Sequence, residues 1–132
     1  MREAISKTTA FFDDRLGGFV AVDTPGGSPL LIGSDVTVGH GAILHACTVE
    51  DACLIGMGAV LLDQAHVGKH SLIAAGSVLR PGKIVEPGSM WRGNPARFVR
   101  MLSDIEIESL YYSAKNYVKL KDEYLNGAVS DI

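Results

Sequence analysis

Aliphatic residues recur at every sixth position through the middle of this chain. Ile32, Val38 and Leu44 begin the series, and after one five-residue step it resumes at Val49, Ile55, Leu61, Val67, Ile73, Leu79 and Val85. In most repeats the residue four places further on is small: Ala42, Thr48, Cys53, Ala59, Ala65, Ser71, Ser77 and Ser89. Glycine or another small residue often follows the aliphatic one, as at Gly33, Gly39, Gly56, Gly68 and Ala74. A period of six matches neither a helix face at 3.6 nor simple strand alternation. It matches short strands joined by tight corners, with the aliphatic side chain inward and the small residue letting the chain turn. Three sides make one coil of about 18 residues, the hexapeptide β-helix arrangement. At the strand spacing of about 4.8 Å, these repeats predict a little over three coils and a stack of roughly 15 Å. The rule for parallel crossovers predicts a right-handed winding.

Other patterns flank the repeat. Ser103 and Glu106 form a capping-box pair. Apolar residues then recur at Ile107, Leu110, Tyr111, Ala114, Tyr117, Val118, Tyr124 and Leu125, and Asn126-Gly127 supplies a stop. This predicts an α-helix over 103–126 packed on the β-helix. Residues 91–102, with Trp91 and Pro95, read as an irregular connector, Trp91 covering the end of the core. Residues 1–31 diverge from the repeat: Gly17-Gly18 and Pro25 to Pro29 read as turns, and Phe19 to Val22 as one strand. The expected fold is all-β dominated, a parallel β-helix over 32–90 with a C-terminal α-helix. So short a stack exposes strand edges and has a thin core, so the helix or a second copy must cover it.

Composition narrows the function. The chain has 132 residues, the length of one domain, with a net charge of -3, which argues against a nucleic-acid partner. No apolar run approaches the roughly 20 residues of a membrane span. The N-terminus shows no signal-peptide pattern, and Cys47 and Cys53 form no CxxC pair, so the expected setting is cytoplasmic with reduced, buried thiols. No Ser–His–Asp arrangement or phosphate-cradling glycine loop is evident.

The stretches VTVGHGAILHACTVEDACLIGMGAVLLD (Val36 to Asp63), VGKHSLIAAGSVLRPGK (Val67 to Lys83) and PGSMWRGNPARFVR (Pro87 to Arg100) resemble the γ-class carbonic anhydrases. The resemblance covers about two thirds of the chain, and GHGAILHAC is its most specific part. It implies a left-handed winding, against the crossover rule. It also implies a homotrimer with zinc at each subunit interface, two histidines coming from one chain and one from its neighbour, and reversible hydration of CO2 to bicarbonate. On the matching positions His40 and His45 are the implied metal ligands, with iron or cobalt as substitutes for zinc. Their placement is physically sensible. His40 falls at a corner and His45 just after inward Leu44, so both point out of the prism, towards different neighbours. Three imidazoles and a water on zinc would bring that water's pKa to about 7.

The same resemblance assigns further positions. Tyr117 matches a family tyrosine on the C-terminal helix that approaches the site, and Asp14 takes the place of a site aspartate. Asp63 matches a turn residue. The position expected for the family's first metal histidine holds Ala21, no histidine precedes His40, and the family's Arg-Gly-Asp stretch is absent. The chain thus reads as a member shortened or diverged at its N-terminus. Stacking arithmetic puts Leu62 over His45 and Met57 over His40, with His66 a corner away, so His66 and His70 read as ordinary surface histidines. Two alternatives stand beside the zinc enzyme. One is a weak or inactive member serving as a trimeric assembly module. The other is a hexapeptide acyltransferase or coenzyme A thioesterase relative, because the GNPA stretch occurs in those proteins too.

Overall fold

Every inward aliphatic residue of the six-residue series lies in its own short strand. The computed structural model describes the backbone of residues 20–22 and 29–125 and the side chains of 29–116. The strands are β1 (Val20–Val22), β2 (Leu31–Ile32), β3 (Thr37–Val38), β4 (Ile43–His45), β5 (Thr48–Val49), β6 (Leu54–Ile55), β7 (Val60–Leu61), β8 (His66–Val67), β9 (Leu72–Ile73), β10 (Val78–Leu79) and β11 (Ile84–Val85). They stack in parallel into three sheets, ordered β2-β5-β8-β11, β1-β4-β7-β10 and β3-β6-β9. Together these are the three walls of a left-handed β-helix. Register places like on like: Ile32, Val49, Val67 and Val85 form one interior column, and Leu44, Leu61 and Leu79 another. All are buried. Each ring of side chains is covered only by the rings above and below it, so the core is a filled tube one residue wide per wall.

The corners carry their own six-residue period. Positive φ recurs at Asp35, Gly41, Ala46, Ala52, Gly58, Gln64, His70, Gly76, Gly82 and Gly88, with one five-residue step between Gly41 and Ala46. Each corner thus turns through a single left-handed residue, and half of them are not glycine. The short step also shifts the small-residue slot. Cys47, 1 % exposed, fills it, whereas Thr48 faces outward and is half-buried. The sequence count assigned Thr48 because it kept a fixed offset through a corner that is one residue shorter. The glycines after the inward residue answer a different need. A Cβ on Gly56 would lie 2.4 Å from the Ala75 backbone nitrogen in the next coil.

The stretch 91–102 is not the irregular connector expected from its composition. Residues Ser89–Gly93 form β12, which pairs in parallel with β9, and Ala96–Met101 form β13, which turns back antiparallel on β12. This hairpin closes the edge of the third sheet. Trp91 sits in register with Ile73, extending the Val38–Ile55–Ile73 column, and is 7 % exposed. Its indole N–H donates to Ser89 Oγ at 3.1 Å, and Lys83 Nζ lies 5.4 Å from the ring centre. The ring therefore caps the tube, as the sequence suggested.

Helix α1 (Asp104–Leu125) follows at once. The Ser103 amide donates to Glu106 Oε1 at 2.9 Å, and the Glu106 amide donates to Ser103 Oγ at 3.2 Å, the reciprocal capping box. Arg100 grips the same carboxylate with both guanidinium nitrogens at 2.7 Å, holding it well down, at about 2. Leu110 and Ala114 are buried, and α1 lies beside β3. The stop at Asn126-Gly127 and the turns before Phe19 and at 25–28 lie outside the described residues. No helix among the described residues is long and apolar enough to cross a membrane.

Candidate functional site

Strand alternation on β4 puts Leu44 inside and its neighbours Ile43 and His45 outside. His45 is therefore displayed on the outer face of the second sheet, its side chain 36 % exposed. Asp63 follows one coil later, just past the inward Leu61. Its carboxylate is hydrogen-bonded to the His45 ring, Asp63 Oδ1 to His45 Nδ1. An ionised carboxylate only accepts hydrogen bonds, so Nδ1 carries the proton. In the neutral ring Nε2 then keeps its lone pair, the form in which imidazole binds a metal.

His40 occupies the corner between β3 and β4 and is exposed. Its carbonyl accepts from the Gly58 amide at 2.9 Å, which fixes that corner to the next coil. His40 and His45 thus stand at opposite edges of one wall. The chain between them turns at Gly41 before it runs extended through β4, so it reaches at most roughly 16 Å, whereas two nitrogens on one zinc ion lie within about 4 Å of each other. Between them runs an outward column of Ile43, Val60 and Val78, all partly exposed, with Met57 61 % exposed at the His40 corner. The wall is apolar in the middle and has an imidazole at each edge.

The register of β1 brings one more strand to this wall. Ala21 pairs with Leu44, the inward position, and Val22 pairs with His45. The residue in backbone register with His45 one coil earlier is Val22. Among the described residues, no group of three or more His, Cys, Asp or Glu side chains converges as a metal cage. The donors present fit zinc in kind, imidazole nitrogens with one ring already oriented, and a single chain brings them to separate places.

The other sequence-selected residues fall elsewhere. Tyr117 lies within α1, but its side chain is outside the described residues, as is Asp14. His66 belongs to the first sheet, where its Nε2 meets Glu50 Oε2 at 2.5 Å. His70 Nε2 is 2.7 Å from the Tyr111 hydroxyl, tying a corner to α1, and burial together with nearby Lys69 lowers its pKa. Neither is an isolated surface imidazole. Both thiols are buried, and that burial pushes Cys47 and Cys53 up to about 12, so they stay protonated and poor as ligands. The partnership of His45 with Asp63 was missed from sequence. Its signal was available: the two are 18 residues apart, one coil length.

Comparison with known proteins agrees with the fold. The family described as bacterial transferase hexapeptide (six repeats) matches residues 46–81. Gamma carbonic anhydrase 2, mitochondrial, of Arabidopsis thaliana is 52% identical over 92 residues, 70% of this chain and 33% of the relative. Protein YrdA of Escherichia coli K12 is 51% identical over 102 residues, 77% of this chain and 55% of the relative. The chain thus spans between a third and just over half of the length of these curated relatives. Among solved structures, a hexapeptide transferase family protein from Anaplasma phagocytophilum superposes with a TM-score of 0.67 at 40% identity, covering 74% of this chain and 63% of the other. Serine acetyltransferase from Neisseria gonorrhoeae gives a TM-score of 0.60 at 26% identity, covering 76% and 39%.

Proposed function

The chain belongs to the γ-carbonic anhydrase-like hexapeptide-repeat proteins, and from that premise we propose that it self-associates to build a zinc site between copies and supports reversible CO2 hydration. The observation that carries this reading is the wall bearing His40 and His45 at opposite edges. In this reading the two imidazoles of one copy serve different ions. Two copies packed through that wall share an ion, His40 of one meeting His45 of the next. The half-exposed Ile43, Val60 and Val78 and the exposed Met57 provide the apolar contact such packing needs. Heterologous contacts of this kind close into rings, and a trimer is the ring the resemblance implies.

Within the site the chain's own residues divide the work. His45 offers Nε2, with Nδ1 held by Asp63. His40 offers a second imidazole from the adjoining copy. The apolar column excludes water and suits a small uncharged substrate such as CO2. Zinc, when bound, supplies Lewis acidity and brings the pKa of its water to about 7. Iron or cobalt would accept the same donors.

Val22 favours a second reading. With valine in line with His45, each interface draws two imidazoles from the described residues, one short of a three-histidine site. A member with that deficit keeps the assembly and loses most of the catalysis. Metal analysis of protein purified without added zinc, with stopped-flow CO2 hydration, separates the two. Zinc near one per chain, lost in His40→Ala and in His45→Ala, together with hydration activity, supports the enzyme. A metal-free, inactive assembly establishes the module.

A further inference from the structure

We propose that Asp63 is a positioning residue: its carboxylate sets the tautomer and orientation of His45, so that Nε2 is the nitrogen presented for metal. This rests on the zinc-site reading for its purpose, though not for its geometry. From sequence, Asp63 is a turn residue. Among the described residues, the contact its carboxylate makes is with a side chain outside the turn. The corner is fixed by backbone bonds, the Gly82 amide donating to Asp63 O at 2.9 Å and the Gln64 amide to Ala46 O at 2.8 Å. Asp51 makes the contrast. Its Oδ1 accepts the Ser34 amide at 2.8 Å, one coil away, so that carboxylate does tie two corners together. The Asp63 carboxylate instead reaches back one coil to a side chain, His45 Nδ1.

The chemistry follows from the donor and acceptor inventory. A free neutral imidazole exchanges between two tautomers, and only one leaves Nε2 bare. The charged acceptor at Nδ1 selects that one and makes the ring a better electron donor. Both side chains are partly exposed, His45 at 36% and Asp63 at 47%, so the pair sits at a surface that a second copy would cover. Covering it strengthens the interaction, because water no longer competes for the carboxylate.

Two variants and two readouts test this. In apo protein labelled at histidine nitrogen, well above the imidazole titration range, the His45 resonances should report a proton on Nδ1. Asp63→Ala should move that proton to a tautomer mixture, and Asp63→Asn, which keeps an acceptor, should largely retain it. Zinc affinity, measured by chelator competition, should fall about 10–100-fold in Asp63→Ala and less in Asp63→Asn. The apo unfolding midpoint should hold in both. A purely structural role would instead lower that midpoint, and would leave the tautomer alone. A His45 ring that keeps the same tautomer in Asp63→Ala overturns the proposal, as does unchanged zinc affinity. A changed cobalt(II) spectrum in Asp63→Asn, showing a lost ligand, would make Asp63 a direct ligand and also overturn it. Wild-type protein with no zinc affinity removes the metal reading, and the tautomer experiment still decides what Asp63 does to His45.

Discussion

Mixing two inactive variants should restore part of the metal content. His40→Ala and His45→Ala each remove one donor from every shared site, so each alone should lose its zinc. After dissociation, mixing in equal amounts and reassociation, some contacts pair a copy with intact His45 against one with intact His40. For an ordered contact, each partner is the right one about half the time, so about one quarter of all contacts are complete. The fraction does not depend on ring size, which makes it a test of geometry and not of stoichiometry. It comes from the placement of the two imidazoles at opposite edges of one wall, with the corner at Gly41 between them in the chain. The assay is zinc content after a chelator wash, compared among wild type, each variant and the mixture. A mixture that reassociates yet holds no zinc would show that both donors serve one ion from one copy, or none at all. Single variants that retain wild-type zinc would refute the assignment of both residues.

Further outcomes follow from the packing. Leu61→Ala empties a fully buried position between Leu44 and Leu79 and should cost about 2–5 kcal/mol, read as a fall in urea midpoint of about 1 M or more. Leu62→Ala, one residue on and facing outward, should cost about 1 kcal/mol or less in dissociated chains and should weaken association, seen by ultracentrifugation. Ser103→Ala should destabilise the start of α1 by about 1 kcal/mol. Because the Glu106 carboxyl is held at about 2, below its ordinary 4.5, its contribution is present above pH 4.5 and disappears as pH falls towards 2, visible as fraying by circular dichroism. His70 has a pKa below its ordinary 6.5, so the folded state resists its protonation and stability should decline as pH drops below 6.5. His70→Asn, compatible with the left-handed corner at φ 63, should flatten that decline in thermal melts at pH 5 to 7.

The chain's own pattern determined the tube. Ten inward aliphatic residues at a fixed interval can be buried together only if the chain turns at the same interval, and the observed columns are that pattern stacked. The capping box determined where α1 begins, because its two hydrogen bonds involve residues three apart. Trp91 as the lid was legible for the same local reason, a large apolar side chain just beyond the last repeat.

What tertiary structure decided lies between coils. The hairpin of β12 and β13 forms because β9 leaves a sheet edge to be paired, which no residue in 89–101 announces alone. Cys47 takes the slot assigned to Thr48 because the short corner advances the chain by one. Val22 comes into register with His45 because inter-coil hydrogen bonds set that pairing. The Asp63 carboxylate finds His45 only when one full turn brings two residues 18 apart to neighbouring positions. In each case the deciding contact joins residues about one coil apart, where the geometry of the turn, and not the order of the amino acids, sets who meets whom.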